Sequence, residues 1–171
     1  DLGFLGGMST NSIENEMGIL RSKSLMTNTV KALNLNITYH QKENVKYKEL
    51  YNNSPFKVEV LQLDEQKLAD HLRKDVGSRF EINLKSDSEC RFGKALNIGF
   101  ADFSIEKTVQ EIPDKDQKIL IQFHPVESVV GKYREAVQIN LTDKNSSLLE
   151  LSLVDPVKEK AQDILDQLIL E

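Results

Sequence analysis

The apolar residues have helical spacing over much of the first 35 residues. Two triplets follow the i, i+4, i+7 spacing of one helical face: Ile13, Met17 and Leu20, then Met26, Val30 and Leu33. The two faces do not join smoothly across residues 21–24 (RSKS). Because serine is a favoured N-cap residue, we predict two consecutive helices with a bend between them.

The ends of these two helices are predicted from single residues. Asn11 lies three residues before Glu14, a spacing typical of an N-cap, so we expect it to cap the first helix. Ser22 and Ser24 are both candidate caps of the second. Asn34 tolerates the left-handed backbone conformation, so we expect it to close that helix.

From residue 37 the apolar residues alternate with polar ones, which is typical of half-buried strands with one face in water. The alternating groups are Ile37 and Tyr39; Phe56, Val58 and Val60; Phe80, Ile82 and Leu84; Phe103 and Ile105; Ile119, Ile121 and Phe123; Val137, Ile139 and Leu141; and Leu149, Leu151 and Leu153. We predict about seven or eight strands in a mainly antiparallel sheet. Residues 62–79 stay ambiguous, with a short exposed helix as one interpretation.

Two later segments return to helical spacing. Pro125 is predicted at the first position of a helix inserted among the strands. Asp155 is predicted to cap a final helix with Pro156 at its first position. The apolar face of that helix is formed by Val157, Ala161, Ile164, Leu165 and Leu168. The predicted fold class is α+β, with helices covering one face of the sheet.

We interpret residues 1–171 as a single domain. Residues 1–11 are rich in Gly, Ser and Thr and are predicted to be a flexible lead-in. Residues 155–171 lack helix stop signals, so we expect them to be the root of a longer helix.

Charge and composition restrict the function. The net charge is −5, from 22 basic and 27 acidic residues, and basic residues are not clustered, which argues against a nucleic-acid partner. The one cysteine, Cys90, rules out an internal disulfide. No apolar run approaches the ~18 residues of a membrane span.

The residues that could carry chemistry are scattered. His40, His71 and His124 have no ligand at a metal-binding spacing. The carboxylate pairs Asp64–Glu65 and Asp114/Asp116 are interpreted mainly as solvated loops, with calcium binding or acid–base chemistry as the alternative. No glycine-rich phosphate loop or nucleophile elbow is present. We therefore expect a non-enzymatic domain without cofactor or metal.

Three segments resemble the Wzz-type chain-length determinants, also called polysaccharide co-polymerases. They are residues 11–39 (NSIENEMGILRSKSLMTNTVKALNLNITY), residues 148–171 (LLELSLVDPVKEKAQDILDQLILE) and, more loosely, the middle of the chain with YNNSPFKVEV and RFGKALNIGFADFSIEK. The middle is similar to the subtype often fused to a cytoplasmic tyrosine kinase. It departs from the family pattern at Ala95-Leu96, where a Pro-Ile pair is commoner.

This resemblance implies a periplasmic domain of a bacterial inner-membrane protein, anchored by flanking spans outside this chain. It implies homo-oligomers that control the length or export of capsule, O-antigen or exopolysaccharide, with polymerase or export machinery and nascent polysaccharide as partners. The mixed charges of Glu14, Glu16, Arg21 and Lys23 are candidates for contacts between subunits, although a solvated helix face is the favoured interpretation. The alternative functions are a ligand-sensing domain of a membrane tyrosine kinase and an enzyme of unrecognised type.

Overall fold

The computed structural model describes residues 3–43, 45–73, 79–83, 92–108, 118–143 and 148–170. The chain forms two compact units. One combines residues 1–35 with 126–171 and is called the helical unit here; the other spans residues 36–125 and is called the sheet unit.

The described residues contain five α-helices and nine strands, which confirms the α+β class. The helices are α1 (Gly3–Leu20), α2 (Lys23–Ala32), α3 (Glu65–Arg73), α4 (Val126–Ala136) and α5 (Lys158–Leu170). The strands are β1 (Ile37–Glu43), β2 (Lys46–Glu49), β3 (Phe56–Leu63), β4 (Arg79–Asn83), β5 (Leu96–Asn97), β6 (Ala101–Lys107), β7 (Lys118–Phe123), β8 (Gln138–Leu141) and β9 (Leu149–Ser152).

The strands pair antiparallel but belong to three sheets instead of one. The sheet unit has a four-stranded sheet in the order β2-β1-β7-β4 and a three-stranded sheet in the order β3-β6-β5. The helical unit has the β8–β9 hairpin. Periodicity gives the inward face of each strand but not its neighbours, so the partition could not be predicted.

An aromatic core lies between the two sheets of the sheet unit. Phe56, Phe103 and Phe123 are fully buried. The ring of Phe103 packs against Phe80 at 5.8 Å and Phe123 at 5.4 Å between centroids. The tilted and edge-on arrangements are those that aromatic pairs prefer, so this cluster stabilises the unit beyond its buried area.

One side chain also links the two sheets by a hydrogen bond. The hydroxyl of Tyr39 in β1 accepts from the main-chain N–H of Val58 in β3 at 2.8 Å. Burial raises the pKa of Tyr39 from its ordinary 10.0, and this hydrogen bond opposes the rise. The bond satisfies an amide of β3, a strand at the edge of its sheet.

The ambiguous segment 62–79 contains a helix. Helix α3 buries Leu68 completely, and the Asp64 carboxylate accepts from the N–H of Lys67 at 3.0 Å as an N-cap. This bond is the first cause that lowers the pKa of Asp64 from its ordinary 3.8. The buried Leu68 anchors this short amphipathic helix to the core, and the cap satisfies an N–H of its first turn.

The predicted helix ends were correct in part. Ser22 caps α2 by accepting from Leu25 N–H at 3.1 Å, and Asn34 is left-handed with φ of 50°. The predicted cap at Asn11 is wrong because α1 already begins at Gly3. The positions that would continue the face of Ile13 towards the N-terminus hold Thr10, Ser9 and Gly6, so apolar spacing gives no signal for this earlier start.

The later helices begin slightly after their predicted positions. Pro125 directly precedes α4 instead of occupying its first position. Helix α5 begins at Lys158, two residues after Pro156, although Asp155 does accept from Val157 N–H at 2.9 Å. Helix boundaries commonly differ from cap positions by one or two residues.

Some expectations concern residues whose structure is not described. Leu84 lies outside the described residues, as do residues 1–2 of the lead-in and Glu171 of the final segment. The single-domain organisation, the flexible lead-in 1–11 and the continuation of the final helix stay predictions. Among the described helices, none combines the length and apolar character needed to cross a membrane.

We expect Phe103→Ala to lower the free energy of unfolding by about 3–5 kcal/mol, because it leaves a cavity in the aromatic core. Urea denaturation of the purified chain measures this loss. The exposed Tyr47→Ala should change it by no more than about 0.5 kcal/mol. Equal effects of the two substitutions would contradict the assigned core.

Acid titration tests the cap of α3. A carboxyl group whose pKa is lowered by folding stabilises the fold above its unfolded-state pKa, and this contribution is lost as the pH falls through the folded-state pKa. We expect Asp64→Asn to remove this pH-dependent contribution to the free energy of unfolding, because asparagine does not ionise but can still cap the helix. The stability difference between wild type and variant should therefore shrink as the pH falls below 3.8. A difference that is constant with pH would contradict the cap.

Candidate interaction site

The four charged residues singled out from the sequence lie at the end of α1 and the start of α2, and they have two different environments. Glu14 and Glu16 are exposed on α1. Arg21 and Lys23 contact residues of the same chain. The role of the four as a contact between subunits stays a prediction.

Arg21 connects the helix junction to two other elements of the helical unit. Its guanidinium Nη2 donates to the carbonyl of Ile139 in β8 at 3.1 Å. Its own carbonyl accepts from Nε of Arg134 in α4 at 3.2 Å. The bend between α1 and α2 is therefore held from both sides.

Lys23 forms an ion pair with Glu127 in the first turn of α4. The hydrogen bond from Lys23 lowers the pKa of Glu127. Both side chains are largely exposed, so the pair positions the two helices more than it stabilises them.

An apolar groove opens where the end of α1, the start of α2 and the end of α5 meet. Its volume is about 280 Å³, and it is lined by Glu16, Ile19, Leu20, Leu25, Leu168 and Ile169. Ile19 is 61% exposed and Ile169 is 67% exposed. Glu16 is the charged residue among the described residues that line the groove. These exposed aliphatic side chains lie together at one groove, which makes it a candidate contact surface.

A buried charge cluster fixes the helix that forms one wall of this groove. The Asp155 side chain is 2% exposed and that of Lys160 is 4% exposed, with 3.3 Å between Asp155 Oδ1 and Lys160 Nζ. The O–H of Tyr133 in α4 donates to Asp155 Oδ2 at 3.2 Å. The Nζ of Lys132 lies 4.0 Å from the same oxygen. Asp155 therefore joins α4 to the first turn of α5.

Lys160 is absent from the residues predicted to matter, although the sequence carries a signal for it. Lys160 lies four residues before Ile164 and eight before Leu168, on the buried face of α5. A lysine at an apolar position requires a buried acidic partner. Asp155, five residues earlier, was assigned only the role of a helix cap.

The histidines and the first carboxylate pair are built into the sheet unit separately. His40 lies in β1, opposite Glu49 and Leu120. His71 packs on Phe100, with 5.2 Å between ring centroids. His124 Nε2 lies 3.0 Å from Thr38 Oγ1.

These side chains do not form a metal centre within the part of the chain that the structure describes, where no three His, Cys, Asp or Glu groups are suitably placed. Asp64 caps α3 and Glu65 is the first residue of that helix. Cys90, Asp114 and Asp116 lie outside the described residues.

No protein-family model matches this chain, and no curated protein matches it. The resemblance to polysaccharide co-polymerases therefore rests on the quoted segments, and it stays a prediction.

We expect Lys160→Met to lower the free energy of unfolding by roughly 3–5 kcal/mol, because it leaves the Asp155 carboxylate buried without its closest cation. Lys158→Met is the matched control, since Lys158 lies on the exposed side of the same helix. It should change stability by no more than about 0.5 kcal/mol. Denaturant unfolding compares the two, and similar losses would contradict the buried pair.

Proposed function

We propose that the chain is the extracytoplasmic domain of a bacterial polysaccharide co-polymerase and acts as a non-enzymatic scaffold. In this hypothesis the domain faces the periplasm and packs against further copies and the polymerase or export machinery. This packing regulates the length or export of a capsular, O-antigen or exopolysaccharide chain. The resemblance of residues 11–39 and 148–171 supplies the family, and the geometry of the helical unit supports the scaffold role.

The order of elements agrees with the expectations from that resemblance. Helices α1 and α2 are separated at residues 21–22, and α2 leads through Asn34 into β1. At the other end, β9 leads through the Asp155 turn into α5. The helix pair and the final helix belong to the same unit, where α2 packs against α5.

The groove bordered by Glu16 is the single observation that carries the scaffold role. Three separate helices form it, and the Asp155 and Arg21 contacts hold two of them in place. Its exposed aliphatic side chains gain favourable burial only when another apolar surface covers them. A fixed, open and mainly apolar surface suits protein–protein contact.

The ligand-sensing alternative is less well supported by this groove. Small-molecule sites are usually about 300–1,000 Å³ and carry several convergent polar groups. The groove is slightly smaller, about 280 Å³, and Glu16 is the one charged residue among the described residues that line it. A sugar would leave most of its hydroxyl groups without partners there.

Ile19→Lys tests the proposed function in cells. We expect the variant, expressed in the full-length protein, to shift the surface polysaccharide to a different and broader length distribution on gels. Val45→Lys is the matched control, because Val45 is also an exposed aliphatic residue but lies in the sheet unit. Both chains should keep wild-type stability within about 0.5 kcal/mol.

Unchanged polymer length with Ile19→Lys would contradict the role of the groove. Deletion of the gene should also change polymer length. An unchanged length after deletion would contradict the family assignment.

A further inference from the structure

The β8–β9 hairpin has two outer edges, and its hydrogen bonds show which main-chain groups point outward. Thr142 N–H donates to the carbonyl of Leu148 at 3.1 Å. Two residues further along the same ladder, Asn140 lies opposite Glu150. Hydrogen-bonded and non-hydrogen-bonded pairs alternate along an antiparallel ladder. The main-chain groups of Ile139 in β8, and of Leu149 and Leu151 in β9, therefore point away from the hairpin.

One main-chain group on the outer edge of β8 has a side-chain partner. The carbonyl of Ile139 accepts from the guanidinium of Arg21, as described above. The outer edge of β9 has no such partner among the described residues, where β9 pairs with β8 alone. β9 carries no lysine, proline or bulge, and its protection as an edge strand is limited to its short length of four residues and the charge of Glu150.

Side chains divide regularly along residues 148–154. Leu149, Leu151 and Leu153 are half-buried, and the four residues between and beside them are exposed. Among these four, Leu148 is 67% exposed and Val154 is 94% exposed. Two large aliphatic side chains in water thus bracket the open edge.

We propose that the β9 edge pairs with the same edge of a second copy of this chain, antiparallel and centred on Leu151. This two-fold register places Leu149 opposite Leu153 and joins the two hairpins into one four-stranded sheet. On the exposed face it places Leu148 opposite Val154 and Glu150 opposite Ser152. The two exposed aliphatic residues cover each other, and no like charges meet.

Other registers fit less well. A shift by one residue would put the half-buried leucines on the face of Glu150 and Ser152. A register centred on Glu150 would set two carboxylates opposite each other, and the main-chain groups of Glu150 point towards β8. The pattern of residues 148–154 is therefore self-complementary in one register. This contact does not depend on the proposed function.

Charge substitutions at exposed positions test the register with the 171-residue chain. Ser152→Glu places a carboxylate opposite Glu150 of the second copy, and this like-charge pair occurs twice in each dimer. We therefore expect about tenfold weaker dimerisation by sedimentation equilibrium. Ser152→Lys should strengthen dimerisation to a similar extent. The double variant Glu150→Lys/Ser152→Glu should restore it, because opposite charges again face each other.

Register-specific crosslinking gives an independent measurement in a Cys90→Ser background. A mixture of Leu148→Cys and Val154→Cys chains should form a disulfide-linked heterodimer under mild oxidation. Neither variant should crosslink alone, because two copies of position 148 would lie about 20 Å apart at ~3.4 Å per residue. Disulfides need Cα atoms within about 7 Å.

Three results would overturn the proposal. One is a chain that stays monomeric up to roughly 1 mM, where even an association of about −4 kcal/mol is detectable. Another is dimerisation that Ser152→Glu leaves unchanged. The third is dimerisation lost with Ile19→Lys but kept with Ser152→Glu, which would place the contact at the groove.

Discussion

The helical unit depends on one buried charge. Asp155 lies just before α5 and binds Lys160, Tyr133 and the N–H of Val157. Both charges of the pair are buried, so neither tolerates the loss of the other. Because Tyr133 belongs to α4, the same carboxylate sets where α5 lies against α4. The position of α5 in turn places Leu168 and Ile169 in the wall of the groove.

Side chains complete the hydrogen bonding of strand edges in both units. Tyr39 binds the N–H of Val58 in the sheet unit, and Arg21 binds the carbonyl of Ile139 in the helical unit. Each bond satisfies a main-chain group that its own sheet leaves open. Arg21 also holds the bend between α1 and α2, so one side chain protects an edge and fixes the helix junction. The outer edge of β9 differs, which is why it is a candidate surface for association.

Local signals in the sequence predicted much of the fold. Ser22 and Asn34 have conformational preferences that depend on one residue, and both positions behave as expected. The partition into three sheets depends on long-range pairing that periodicity does not contain. The Lys160–Asp155 pair was missed because a lysine suggests solvent, whereas spacing along α5 places it inside. The groove could not be predicted, since it forms where α5 meets the α1–α2 junction, which lies more than 130 residues earlier in the chain.

The central claim is that this fold serves as a membrane-anchored scaffold for polysaccharide assembly and not as a catalyst. The most direct test is to sequence the gene on both sides of the 171 codons. The account predicts an apolar segment of about 20 residues encoded before the chain. It also predicts a long helical stretch and a second such segment after it. A gene that encodes no such segment on either side would contradict the claim.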